Sequence, residues 1–147
     1  MKGSVVQFAF IVLALAVGGA LEDMLPAFGS VGTPVLLGAA LFFALTRTPV
    51  WMIAAVAAGA LEEAVASLPP ATAIVFFAAV AAAVRFFREP LVWIVAAYPA
   101  YQAWLGLVAD GSGAISRVLL AFPVGVVSLA AVTALLSLAW RKAGADA

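Results

Sequence analysis

Gly59-Ala60-Leu61-Glu62-Glu63-Ala64-Val65-Ala66-Ser67-Leu68-Pro69-Pro70 sets two adjacent carboxylates in an otherwise apolar run and then stops that run with two prolines. The stretch reads as the outer part of a membrane helix and the turn that follows it. A charge within a membrane helix costs about 2 to 3 kcal/mol at the centre and less toward the end, so something must offset the pair. Glu62, Glu63, Pro69 and Pro70 are therefore the first candidates for a functional or structural site.

The rest of the chain supports a lipid solvent. Of 147 residues, 67% are hydrophobic and 10% charged, with a mean hydropathy of +1.24; a soluble domain carries about 25% charged residues. Seven basic residues balance seven acidic ones, so no basic surface invites nucleic acid. The chain has neither cysteine nor histidine, which excludes disulfides, thiolate metal sites, Cys nucleophiles and His-based catalysis. It is read as a non-enzyme with no metal and no cofactor.

Working outward from the quoted stretch, prolines and polar clusters divide the chain into six helices, at about 4–21, 34–46, 50–68, 71–87, 91–109 and 117–140. Glu22-Asp23-Met24-Leu25-Pro26 with Gly29-Ser30 makes the first turn, Arg47-Thr48-Pro49 the second, and Arg88-Glu89-Pro90 the fourth. Asp110-Gly111-Ser112-Gly113 is the Gly/Ser-rich loop before the last helix. The first segment ends in Val17-Gly18-Gly19-Ala20, faintly like a signal-peptide cleavage site, but it is as long as the later spans and is read as an uncleaved helix. The second helix is short for a bilayer. The expected fold is an all-α integral membrane protein, one transmembrane domain over residues 1–147, built as a six-transmembrane-helix bundle from three helical hairpins.

Six spans put Lys2, Arg47, Arg85, Arg88, Arg141 and Lys142 on one side and only Arg117 on the other. By the positive-inside rule both termini are cytoplasmic, in a multi-pass membrane protein, and Glu22, Asp23, Glu62, Glu63 and Asp110 fall toward the outside. Trp51, Trp93 and Trp140 then lie near the inner ends, where an indole suits the interface.

A weak repeat runs at about forty residues: Gly19-Ala20-Leu21-Glu22-Asp23 recurs as Gly59-Ala60-Leu61-Glu62-Glu63. It adds Glu22 and Asp23 to the candidates. Ala54, Ala55, Ala58 and Gly59 on the third helix and Ala78, Ala79, Ala82 and Ala83 on the fourth have the small-residue spacing that lets backbones approach, so these helices should pack closely. Pro99 and Pro123 fall inside the fifth and sixth helices and should kink or locally break them.

Tyr98, Tyr101 and Gln102 share one face of the fifth helix. They could line a small-molecule pocket or simply bond to neighbouring helices. Glu62 comes about twelve residues after Val50, roughly 18 Å of rise, and so lies in the outer half of the membrane. Neighbouring helix positions differ by about 100°, so Glu62 and Glu63 cannot face one partner; Arg117, a partner protein or a protonated carboxyl are the alternatives that could satisfy them.

Gly59-x-x-x-Glu63 followed by Ser67-Leu68-Pro69-Pro70, with Arg47-x-Pro49 before it, resembles the rod shape-determining MreD family over roughly Glu22 to Trp104. The chain departs from that pattern in having Glu where the family more often has Asp, and Ala71 where a glycine of the turn would stand. The resemblance implies a non-catalytic scaffold of the cell-elongation machinery. Its partners would be an MreC-like bitopic protein and, through it, the MreB filament and the peptidoglycan glycosyltransferase and transpeptidase. The outline is also similar to the six-helix substrate-binding components of vitamin transporters. That likeness implies instead a ligand held by Tyr98, Tyr101, Gln102, Glu62 and Glu63, with Trp104 stacking a ring. An ion or proton channel ranks last, for want of a continuous polar relay.

Overall fold

The computed structural model describes residues 2–25, 32–46, 48–108 and 115–144. They form α1 Lys2–Met24, α2 Val35–Leu45, α3 Trp51–Ala66, α4 Thr72–Phe86, α5 Pro90–Val108 and α6 Ile115–Lys142, with no strand among the described residues. Each helix end lies within three residues of the position predicted from the apolar runs. Pro26, Gly29-Ser30, Arg47 and the Asp110–Gly113 loop, which the sequence reading uses as turns and charges, lie outside the described residues.

The short second helix organises the bundle. Its sequence, Val-Leu-Leu-Gly-Ala-Ala-Leu-Phe-Phe-Ala-Leu, is apolar on every face, and a helix of that kind is stable only where it is surrounded. It packs against all five other helices, and every residue from Val35 to Ala44 is buried. At about 16 Å it is half the thickness of a hydrocarbon core. Its shortness thus follows from its being an interior element whose ends must be satisfied by protein. The amide of Leu36 donates to Glu22 Oε2 at 2.7 Å. At the opposite end Thr46 N–H donates to the Phe42 carbonyl at 3.0 Å, the Thr46 hydroxyl donates to Phe43 O at 2.9 Å, and Arg85 donates to Thr46 O at 2.9 Å. A carboxyl oxygen accepting at the N-terminus meets amides left free by the helix, and a cation at the C-terminus suits the helix dipole.

Three glycines set the closest approaches. A Cβ on Gly59 would stand 2.7 Å from Ile74 Cα, one on Gly38 would stand 2.8 Å from Val132 Cγ1, and one on Gly125 would stand 2.8 Å from Tyr98 Cβ. They let α3 meet α4, α2 meet α6, and α5 meet α6. On α3 the buried stripe contains Ala54, Ala55, Ala58 and Gly59. On α4 the predicted alanines are not the buried face: Ala79 is exposed and Ala78, Ala82 and Ala83 are half-buried, while Thr72, Ala73, Phe77, Ala81 and Val84 are buried. Phe77 fills the space between α4 and α5, ringing Tyr101 at 5.5 Å, and this orients the helix. The helix continues past Pro99 in α5 and past Pro123 in α6.

The tryptophans differ from expectation in one case. Trp51 is half-buried with the Arg85 guanidinium 5.4 Å above its ring, and the half-buried Trp93 donates Nε1–H to Phe87 O at 2.6 Å. Trp140 is instead core: it packs edge-on against Phe10 at 5.1 Å and Phe42 at 5.8 Å, because α6 crosses the C-terminal end of α2 there.

Three helices, over Gly3–Met24, Pro90–Val108 and Ile115–Lys142, are long and apolar enough to cross a membrane. Their outward residues include Phe8, Leu13, Leu91, Val92, Leu119, Val127 and Leu135, all well exposed. A water-soluble protein rarely carries so much contiguous exposed apolar surface. The chain has the surface of a membrane protein.

Candidate functional site

Glu62 and Glu63 part company at the end of α3. Ser67 takes a left-handed conformation, φ 52°, and its amide and that of Leu68 both donate to the Glu63 carbonyl, which closes the helix with a left-handed C-cap. Pro69 and Pro70 then turn the chain, and Ala71 at φ 66° starts α4. The reversal delivers the first turn of α4 to the Glu63 side chain. Its Oε1 accepts from the amides of Ala73 at 2.9 Å and Ile74 at 3.0 Å. One residue therefore terminates α3 with its backbone and caps α4 with its carboxylate.

Glu22 supplies the carboxyl part of this device in the preceding hairpin, capping α2 from the end of α1. The forty-residue repeat aligns Glu22 with Glu62, yet the capping role in the second hairpin belongs to Glu63. The device recurs one position out of register. Glu62 is thereby released to face inward, and Asp23 is exposed beside a shallow depression formed with Leu61 and Ala64.

Glu62 is 7% exposed and meets α5. Its Oε1 accepts from the Tyr101 hydroxyl at 3.1 Å, and the Glu22 carboxyl lies within direct interaction range of it. The Tyr98 hydroxyl donates to the Gly32 carbonyl and is itself hydrogen-bonded by Gln102. These groups, with Arg117 from the start of α6, line a cavity of ≈ 280 Å³ at this end of the bundle. Tyr101 is held in place by Phe76 at 5.1 Å and Phe77 at 5.5 Å, and Tyr98 lies 6.4 Å from it. Two side-chain oxygen atoms of these lining residues, Glu62 Oε2 and Gln102 Oε1, are buried without a hydrogen-bond partner among the described residues.

Of the residues singled out in the sequence, Glu62, Tyr98, Tyr101 and Gln102 thus come together, and Glu22 joins them. Glu63 and Trp104 do not line the cavity. Glu63 is drawn to α4, and Trp104 donates Nε1–H to Thr72 O at 2.9 Å, tying α5 to the first residue of α4. Pro69 and Pro70 are exposed in the turn. Sequence reasoning missed that Glu22 both caps α2 and stands against Glu62. The equivalence of Glu22 and Glu62 in the repeat was the available signal for it.

The chain matches no protein-family model, no curated protein and no solved structure.

Proposed function

We propose that this chain is a non-catalytic, multi-pass scaffold of the bacterial inner membrane, similar in role to MreD. It would associate with an MreC-like bitopic protein and, through it, with the MreB filament and the peptidoglycan synthases. Both termini would face the cytoplasm. The observation that carries the reading is the α3–α4 turn. Glu63, the acid of the MreD-like pattern, ties the two helices of the turn together through Oε1, which accepts from two amides of α4, as an architectural residue would. Ala71, where that pattern has glycine, takes a positive φ of the kind glycine adopts without strain.

The account is tested by substituting Glu63 in a rod-shape complementation assay, with purification of the complex alongside. Glu63→Gln keeps an acceptor for both α4 amides and should complement. Glu63→Lys sets an ammonium against two N–H donors and the positive end of the α4 dipole, and should weaken the complex. If Glu63→Gln abolished function while the complex still purified intact, the acid would be serving proton chemistry and the scaffold reading of this turn would fail.

A second reading, a small-molecule-binding component of a vitamin-type transporter, is favoured by one observation. The cavity beside Glu62 is lined by convergent polar groups, two of which have buried and unpartnered oxygen atoms.

A further inference from the structure

We propose that the α3–α4 edge of the bundle is matched to a locally thinned bilayer, so that the lipid it selects has short acyl chains. The inference rests on the membrane reading, in which α3 and α4 cross the bilayer, and does not use the scaffold. Length carries it. The 16 residues of α3 rise about 24 Å and the 15 of α4 about 22 Å, against a hydrocarbon core of about 30 Å. The 23 residues of α1 and 28 of α6 rise about 34 and 42 Å and can meet that thickness by tilting. Tilt only shortens what α3 and α4 span.

Neither short helix can be extended at its ends. On one side the backbone leaves α3 at Ser67 and enters α4 after Ala71, both at positive φ, and non-helical backbone facing lipid must reach the headgroups. Long charged side chains ordinarily reach outward from a short helix to the headgroups, but the two here are tied down. Glu63 Oε1 accepts from the amides of Ala73 and Ile74. Arg85 donates to Thr46 O, with its guanidinium 5.4 Å from the centre of the Trp51 ring. The rise along α4 from Ala73 to Arg85 is only about 18 Å. Between these ends every exposed residue is apolar: Ile53, Val56 and Ala60 on α3, Val75 and Ala79 on α4. Such a face offers a protein partner no polar group to recognise, whereas acyl chains need none. With the helices fixed in length and their charges fixed in place, the lipid beside them must shorten.

The chain has no cysteine, so a bimane fluorophore can be attached at single lipid-facing positions: Val75→Cys on α4, 50% exposed, and Leu135→Cys on α6, 67% exposed. The labelled full chain is reconstituted in phosphatidylcholine with brominated acyl chains, which quench the fluorophore. Unbrominated dimyristoleoyl, dioleoyl or dierucoyl phosphatidylcholine, in order of increasing chain length, then competes for the same positions. At Val75 the shortest lipid should displace the quencher about fivefold more effectively than the longest, and at Leu135 that preference should be absent or reversed. Ile53→Cys on α3, 68% exposed, repeats the measurement should the Val75 variant not fold. Equal displacement by all three lipids at Val75, a preference there for the longest, or the same short-chain preference at both helices would overturn the assignment of thinning to this edge. So would quenching at Leu135 with none at Val75 and Ile53, since another protein chain would then cover the face. Quenching at neither helix would mean that the chain is not seated in lipid, and the membrane reading would fall with the inference.

Discussion

Ala71 sits at φ 66° with no side-chain reason to do so. A left-handed conformation costs a residue bearing a Cβ about 1 to 2 kcal/mol, whereas glycine loses about 0.5 to 1 kcal/mol more chain entropy on folding. Strain relief is the larger, so Ala71→Gly should stabilise the protein by about 0.5 to 1 kcal/mol, seen as a higher midpoint of thermal unfolding in detergent. The opposite change at Gly59 should be damaging. An added methyl would lie 2.7 Å from Ile74 Cα, which is backbone and cannot rotate away. Gly59→Ala must part α3 from α4, and a loss of about 2 kcal/mol, seen as a lowered midpoint, is the expected result. An unchanged midpoint for Gly59→Ala would contradict the close helix contact. The adjacency of Glu62 and Glu63 in sequence said that they must diverge, by helix geometry alone. Which one would turn inward depended on where the reversed chain of Ser67 to Ala71 returned, and that is set by two positive-φ residues, neither of which is a glycine that would have marked the position.

Among the elements, α2 was the least legible. Its apolar run was plain, but a uniformly apolar run of this length looks the same whether it spans lipid or lies at the centre of other helices. The information was outside it, in Glu22, 14 residues before the amide it caps, and in Arg85, 39 residues beyond Thr46. The α4 face was misread for a related reason: a run of alanines has no asymmetry to show which side packs, and the bulk of Phe77 decided it. If α2 is stabilised at its two ends, Glu22→Ala should leave the Leu36 amide buried without an acceptor and cost about 1 to 3 kcal/mol. Arg85→Met, which keeps the stem over Trp51 but removes the donor to Thr46 O, should cost less, because that end retains the Thr46 contacts with Phe42 and Phe43. Equal losses in the two variants, measured by unfolding in detergent, would contradict the asymmetric capping.

At the scale of the whole molecule, charge is segregated along the bundle. One end carries Glu22, Glu62 and Glu63 with Arg117 among them; the other carries Arg85 and Arg88 and the Arg141-Lys142 end of α6. Arg117, the basic residue that counts against the proposed orientation, lines the same cavity as two acids, so it weighs little against cytoplasmic termini. The three long helices present apolar faces outward while the polar cavity and both capped turns sit at one end. On the scaffold account that end and the lipid-facing helices hold the chain in a larger complex. Affinity purification of the full chain from its native membrane, in mild detergent and with the co-purifying proteins identified by mass spectrometry, tests this most directly. The account predicts an MreC-like single-span protein together with peptidoglycan glycosyltransferase and transpeptidase. Recovery of a transporter's ATPase subunits in their place would contradict it.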